Sequence, residues 1–174
     1  MSSKNKWKIG AAIVLLSLAI MLPEVVSAGW HIVHGRSVVF RSWKVTVPFE
    51  WYAVKNGEGM MIERMTRLSW EKPVATFLPV HFSKTYQFDY DAFAGVQSKL
   101  LRGRGYALSG QEDIRIGNEG GRCWTFTSMT QHDQQWINCV APKDLTSVDY
   151  IGPSAYANEF LSVMANIQRE TSTR

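Results

Sequence analysis

The chain has 174 residues, with 19 Lys+Arg against 15 Asp+Glu for a formal net charge of +4, and is 45% hydrophobic and 12% aromatic. That apolar content excludes a disordered chain, two cysteines are too few for a disulfide-framework mini-protein, and no repeat period marks a solenoid. The length fits one domain with enough chain to bury a core.

Residues 1–30 read as an address. Lys4, Lys6 and Lys8 precede a charge-free apolar run, Ile9 to Leu22, of 14 residues. Pro23 and Glu24 interrupt it, and Val26-Ser27-Ala28 ends in small residues, as a signal-peptidase site does. The run is short of the ~20 residues of a spanning helix. Extension through Val25, Val26, Ala28 and Trp30 reaches that length. A cleaved signal peptide and an uncleaved N-terminal membrane anchor therefore both stand. Either places residues 31–168 outside the cytoplasm as a single α+β domain, in the periplasm or secreted, with 169–174 as a polar tail. Residues 1–28 carry a net charge of +2, so the rest carries only +2. A nearly balanced exported domain excludes nucleic acid as a partner.

In chain order, Val38 to Val47 has β-branched and aromatic residues at a partial period of two, with Val39, Trp43, Val45 and Val47 on one face and Arg41 as the exception. Pro48 stops this strand, and Trp51 to Val54 resumes it. Asn56-Gly57-Glu58-Gly59 is a turn, because Asn-Gly tolerates the positive φ of hairpins. Met60 to Met65 returns. Val74 to Phe82 contains Pro79, which lacks a ladder donor and points to an edge or a bulge. Asp89 to Arg102 switches to helical period. Phe93, Val96 and Leu100 form its stripe with Ala92 and Leu101 alongside, Asp89 or Asp91 caps it, and Gly103 takes the C′ position. Tyr106 to Ile116 reads as a strand with a bulge or break at Gly110, and Asn118 to Gly121 as a turn. Arg122–Met129 and Gln135–Ala141 form the clearest hairpin. Lys143 to Tyr150 reads as a loop. Pro153 opens a last helix with Phe160, Leu161, Met164 and Ile167 on its apolar face. The expected fold is α+β, a mainly antiparallel sheet of about six strands flanked by two helices.

Cys123 and Cys139 are equidistant from Gln131, so a hairpin centred there sets them directly opposite each other. A cross-strand disulfide then becomes geometrically accessible, and export permits it. Two buried thiols and a redox site are the alternatives, the last without the CxxC spacing. The same register places Trp124, Phe126, Trp136 and Val140 on the other face, with Phe126 opposite Trp136, as a core face.

The layout resembles the PsbP/Mog1-like superfamily, which includes DcrB-type bacterial envelope proteins. The resemblance rests on an exported N-terminus, the Val47-Pro48-Phe49-Glu50-Trp51 step, the helix Asp91 to Arg102, the meander Tyr106 to Ala141 and the Phe-Leu-x-x-Met-x-x-Ile pattern of Phe160 to Ile167. It covers about Ser37 to Gln168. It implies an α/β/α sandwich used as a binding or assembly module, without shared catalytic residues.

No catalytic motif is present: there is no Gly-x-Ser-x-Gly, His-Glu-x-x-His or phosphate-binding loop. His31 and His34 share a face only in a helix and read as juxtamembrane residues rather than metal ligands. Arg102-Gly103-Arg104-Gly105 reads as a helix cap rather than an anion cradle. Tyr86, Asp89, Tyr90 and Asp91 read as capping residues, and Met60, Met61 and Met65 as core. The expected function is a non-enzymatic envelope module, exported or membrane-tethered through its N-terminal segment, with no cofactor, binding a protein or small ligand at the sheet or a helix–sheet edge. The alternatives are an extracytoplasmic enzyme using Asp89, Asp91, His81 and His132, and a structural subunit of a membrane complex.

Overall fold

The computed structural model of the chain describes residues 14, 17, 22, 24–65, 72–79, 88–116, 119–143 and 146–169. Residues 24–34 form a helix, α1, and Val14, Ser17 and Leu22 are helical as well. The rest of the run Ile9–Leu22 lies outside the described residues. Among the described residues no helix is long and apolar enough to cross a membrane.

The strands are β1 (Ser37–Phe40), β2 (Trp43–Thr46), β3 (Trp51–Asn56), β4 (Gly59–Arg64) and β5 (Val74–Pro79). Helix α2 (Tyr90–Arg102) follows, then β6 (Tyr106–Ile116), β7 (Glu119–Ser128), β8 (Gln134–Ala141) and β9 (Thr146–Pro153). A 3₁₀ turn (Ser154–Tyr156), α3 (Ala157–Ala165) and β10 (Gln168–Arg169) close the chain. The class is α+β, and among the described residues every strand pairing is antiparallel. Instead of one sheet of about six strands, the described strands make two. A seven-stranded sheet runs β3-β4-β5-β9-β8-β7-β6, and a three-stranded one runs β1-β2-β10.

Several local expectations shift for identifiable reasons. Val38–Val47 is a hairpin rather than one strand, because Arg41 and Ser42 make a two-residue turn between the paired Phe40 and Trp43. Arg41 sits there at φ 55°, a conformation normally left to glycine. The fold-back sets Val39 opposite Lys44, so Val39 is exposed while Trp43, Val45 and Val47 are buried. Lys143–Tyr150 is no loop from Thr146 onward. Strand β9 lies between β5 and β8, with Thr146, Val148, Tyr150 and Gly152 facing inward. Pro79 ends an interior strand, where its missing donor costs little, rather than marking an edge. Gly120 and Gly121 belong to β7 rather than to a turn, and Asn118 lies outside the described residues. Residues 80–82 of the expected Val74–Phe82 strand also lie outside them. The expected bulge is present, with Ser109 left over between Leu108 and Gly110. Gln168 and Arg169, the latter expected in the polar tail, pair with β2, and residues 170–174 lie outside the described residues.

Helix α2 begins as its sequence demands. Asp89 caps it, its Oδ1 accepting from the backbone N–H of Asp91 and Ala92. The buried face is not the expected stripe, however. Phe93, Ala94 and Leu101 pack on the sheet, while Val96 and Leu100 are exposed. Gly103 stays in the right-handed region, and Gly105 takes the positive φ of 86° two residues later.

The large sheet separates two cores. On one face α2 covers Trp124, Phe126 and Val140. On the other, the small sheet (Trp43, Val45) and α3 (Phe160, Val163, Met164) cover Phe77, Ile137, Tyr150 and both cysteines. Each large apolar side chain buried there stabilises the fold by roughly 1.5–3 kcal/mol, so this face dominates.

A cleft between two sheet edges

The two sheets end in neighbouring edges. Strand β3 ends the large sheet and β1 the small one. Helix α1 seals part of the β3 edge. Trp51 and Ala53 are two apart, so their carbonyls point to the same side of the strand. Ser27 Oγ donates to the Trp51 carbonyl at 3.4 Å, and Trp30 Nε1 donates to the Ala53 carbonyl at 3.1 Å. Side chains of α1 thus satisfy edge acceptors that a further strand would otherwise use.

Beyond that contact lies a cleft of about 510 Å³. Trp30 and His34 of α1 form one wall, and Val38, Val39 and Phe40 of β1 another. The hairpin contributes Ala53, Val54 and Lys55 from β3 and Gly59 and Met60 from β4. Arg41 and Glu58 stand with Lys55 as the charged lining groups. Its volume falls within the ~300–1,000 Å³ of ligand pockets, and both apolar and polar groups line it. Arg41 lines it from the two-residue β1–β2 turn, which calls for its left-handed backbone.

At the end of the β3–β4 hairpin away from its turn lies a polar cluster that sequence reading missed. Arg64 of β4 pairs with Glu50, approaches Glu159 Oε2 of α3 at 3.4 Å, and sits 4.1 Å above the Tyr156 ring. Trp51 Nε1 donates to Glu159 Oε2 at 2.8 Å. Glu50 itself has φ 73°, and its N–H donates to Ser27 Oγ at 2.9 Å. Burial, and then the Glu159 charge, pushes the Tyr150 hydroxyl well above its ordinary range. The only trace in the sequence was Glu50 inside the Val-Pro-x-x-Trp step. Nothing local marks Glu159 as its neighbour.

A second missed group is Asp149 on β9. Its Oδ1 accepts from Trp136 Nε1 at 2.9 Å and Asn138 Nδ2 at 2.7 Å. Burial outweighs both donors and raises its pKa. On the outer hairpin, burial and then Glu63 raise the Tyr52 hydroxyl to about 12.

Of the residues singled out in the sequence, Cys123 and Cys139 are directly paired in register, with Cα atoms 4.0 Å apart and sulfurs at bonding distance, 1.94 Å. Both are fully buried. Phe126 faces Trp136 as read. His31 and His34 lie on a helix, but each is engaged locally. His31 Nε2 is 3.1 Å from the Pro48 carbonyl and its Nδ1 2.9 Å from that of Gly35, while His34 stacks on Trp30 at 4.9 Å. Among the described residues no three His, Cys, Asp or Glu side chains gather as a metal site. Asp89 is spent as a cap, Asp91 is exposed in the first turn of α2, and His132 is exposed in the β7–β8 turn. His81 and Tyr86 lie outside the described residues. Tyr90 packs at the α2–sheet interface, with Arg122 4.8 Å above its ring. Arg104 lies 5.4 Å from the Trp136 ring, a cation–π contact just beyond the helix end. Met60 is buried and lines the cleft, and Met61 and Met65 are partly buried. No family model matches the chain, and no curated protein matches it.

Proposed function

We propose that the chain is a non-enzymatic module of the cell envelope, exported and held at the membrane, that binds a small ligand in the cleft between α1, β1 and the β3–β4 hairpin. The cleft carries this reading. Its walls suit an apolar body, and Arg41 and Lys55 against Glu58 suit a polar or anionic end. Cysteines at bonding distance fit an oxidising compartment, which supports export. On this reading the fold is the α/β/α sandwich of the PsbP/Mog1-like superfamily. Helix α2 is one outer layer, the large sheet the middle, and α3 with the small sheet the other. The capping work of Asp89 weighs against the enzyme alternative, because that carboxylate is committed to the helix start.

Native mass spectrometry of the full chain extracted from membranes tests the reading. A co-purified small molecule is expected on the wild type and lost in Val39→Trp, which fills the cleft from an exposed position, and in Lys55→Glu. No bound species on the wild type, or equal occupancy in both variants, overturns it.

A further inference from the structure

We propose that α1 is a permanent stem of the domain, kept in the mature chain, with its outward apolar stripe lying against a lipid bilayer. The proposal rests on the reading of the chain as an exported, membrane-tethered module, and decides between a cleaved and a retained N-terminal segment.

One face of α1 is built into the fold. Ser27, Trp30 and His31 are at i, i+3 and i+4, the spacing of a single helix face. Ser27 is 0% exposed. Its hydroxyl accepts from the N–H of Glu50 and donates to the Trp51 carbonyl. Trp30 bonds the Ala53 carbonyl and packs against the main core. His31 bonds the Pro48 carbonyl and stacks on Phe49 at 6.0 Å. The seat therefore runs along residues 48–53, through Glu50 with its left-handed backbone.

Cleavage after Ala28 removes the centre of this seat. It deletes Ser27, takes a partner from two backbone groups of residues 50 and 51, and leaves residues 29–34, less than two turns of helix. So short a piece does not hold a helix alone. The small residues that look like a processing site thus have a second explanation. Ser27 is small and hydroxylic because it sits under the strand edge.

The opposite face is apolar and uncovered. Val25 is 58%, Ile32 84% and Val33 76% exposed, and Leu22 and Val26 are exposed beside them. This stripe continues the charge-free run Ile9–Leu22, which follows three lysines. A cationic start followed by an apolar run is the order of a membrane segment. That continuity selects lipid as the occupant.

Expression of the full chain in a Gram-negative host, with a benzophenone amino acid at position 32, tests this. The membrane fraction is washed with alkaline carbonate, and the chain is unfolded in urea, alkylated without reductant and weighed intact. The expected result is a carbonate-resistant chain that begins at Met1 or Ser2, resists alkylation, and carries lipid adducts after irradiation. A chain that begins at Gly29 but still resists alkylation overturns the stem while leaving the exported module standing. A full-length chain with two alkylated cysteines overturns the exported module and the stem with it. A covalent dimer through position 32 in place of lipid adducts overturns the lipid contact.

Discussion

Reduction of the Cys123–Cys139 pair is expected to cost about 3 kcal/mol of stability. The two residues are 16 apart in sequence. A bridge closing a loop of that size removes roughly 3 kcal/mol of chain entropy from the unfolded state. Strand pairing between β7 and β8 exists with or without it, so the native side of the balance changes little. The comparison is between oxidised wild type and wild type kept in reductant, both titrated with urea. With a slope of roughly 2 kcal/mol/M, the midpoint falls by about 1–2 M on reduction. Replacing both cysteines by alanine is expected to lower the melting temperature by roughly 6–12 °C for a domain of this size. Burial adds a kinetic signature. Both sulfurs are inaccessible in the native state, so reductant without urea leaves the bridge intact for as long as the hairpin stays closed. Curves that coincide within 1 kcal/mol, or rapid reduction in the absence of urea, would refute the reasoning.

Asp149→Asn is expected to stabilise the protein at pH 7. Burial raises the native pKa above the ordinary 3.8, so between that value and the raised one the native state keeps a proton that the unfolded chain has lost. Stability therefore falls as pH rises through this window and stays lost above it. The asparagine carbonyl still accepts from Trp136 and Asn138, so the gap between variant and wild type in urea titrations should close near pH 3. A gap that does not change with pH contradicts the assignment. Gly121→Ala should cost about 1–3 kcal/mol, because a Cβ there would lie 2.6 Å from Ile116 Cδ1 and 2.7 Å from the Val140 carbonyl. Pairing it with Ile116→Val should not restore stability, since the backbone carbonyl remains, and a full rescue would show the crowding to be side-chain only. Arg64→Ala should cost about 1–3 kcal/mol through loss of the Glu50 and Glu159 contacts and the stacking on Tyr156. A double-mutant cycle with Glu50→Ala measures the pair, and zero coupling would remove the ion pair from the account.

Legibility followed the range of the interactions. The β7–β8 register was readable because two strands and their turn lie within some twenty residues. A local centre at Gln131 was enough to set Cys123 against Cys139 and Phe126 against Trp136. The Asp89 cap and the Asn56–Gly59 turn were readable for the same reason, with Gly57 taking φ 58°. Strand β9 was missed because it carries Ser147 and Asp149 and follows a Pro-Lys pair. Its inward alternation has meaning only between β5 and β8, which come from distant parts of the chain. The α2 face was misjudged because apolar residues lie on two sides of that helix. Contact with Trp124 selects Phe93 and Leu101 over Val96 and Leu100.

By itself the sequence determined the class, the antiparallel hairpins, the opposition of the cysteines and the start of α2. Each depends on period, turn chemistry or capping within a few residues. Only the tertiary structure decided that Val38–Val47 folds back into a second sheet, that residues 24–34 seat on the β3 edge, and that a cleft opens between the two edges. Those outcomes depend on which surfaces meet. Arg64 between Glu50 and Glu159, and Ser27 beneath Trp51, are contacts between residues whose positions in the chain give no sign of each other.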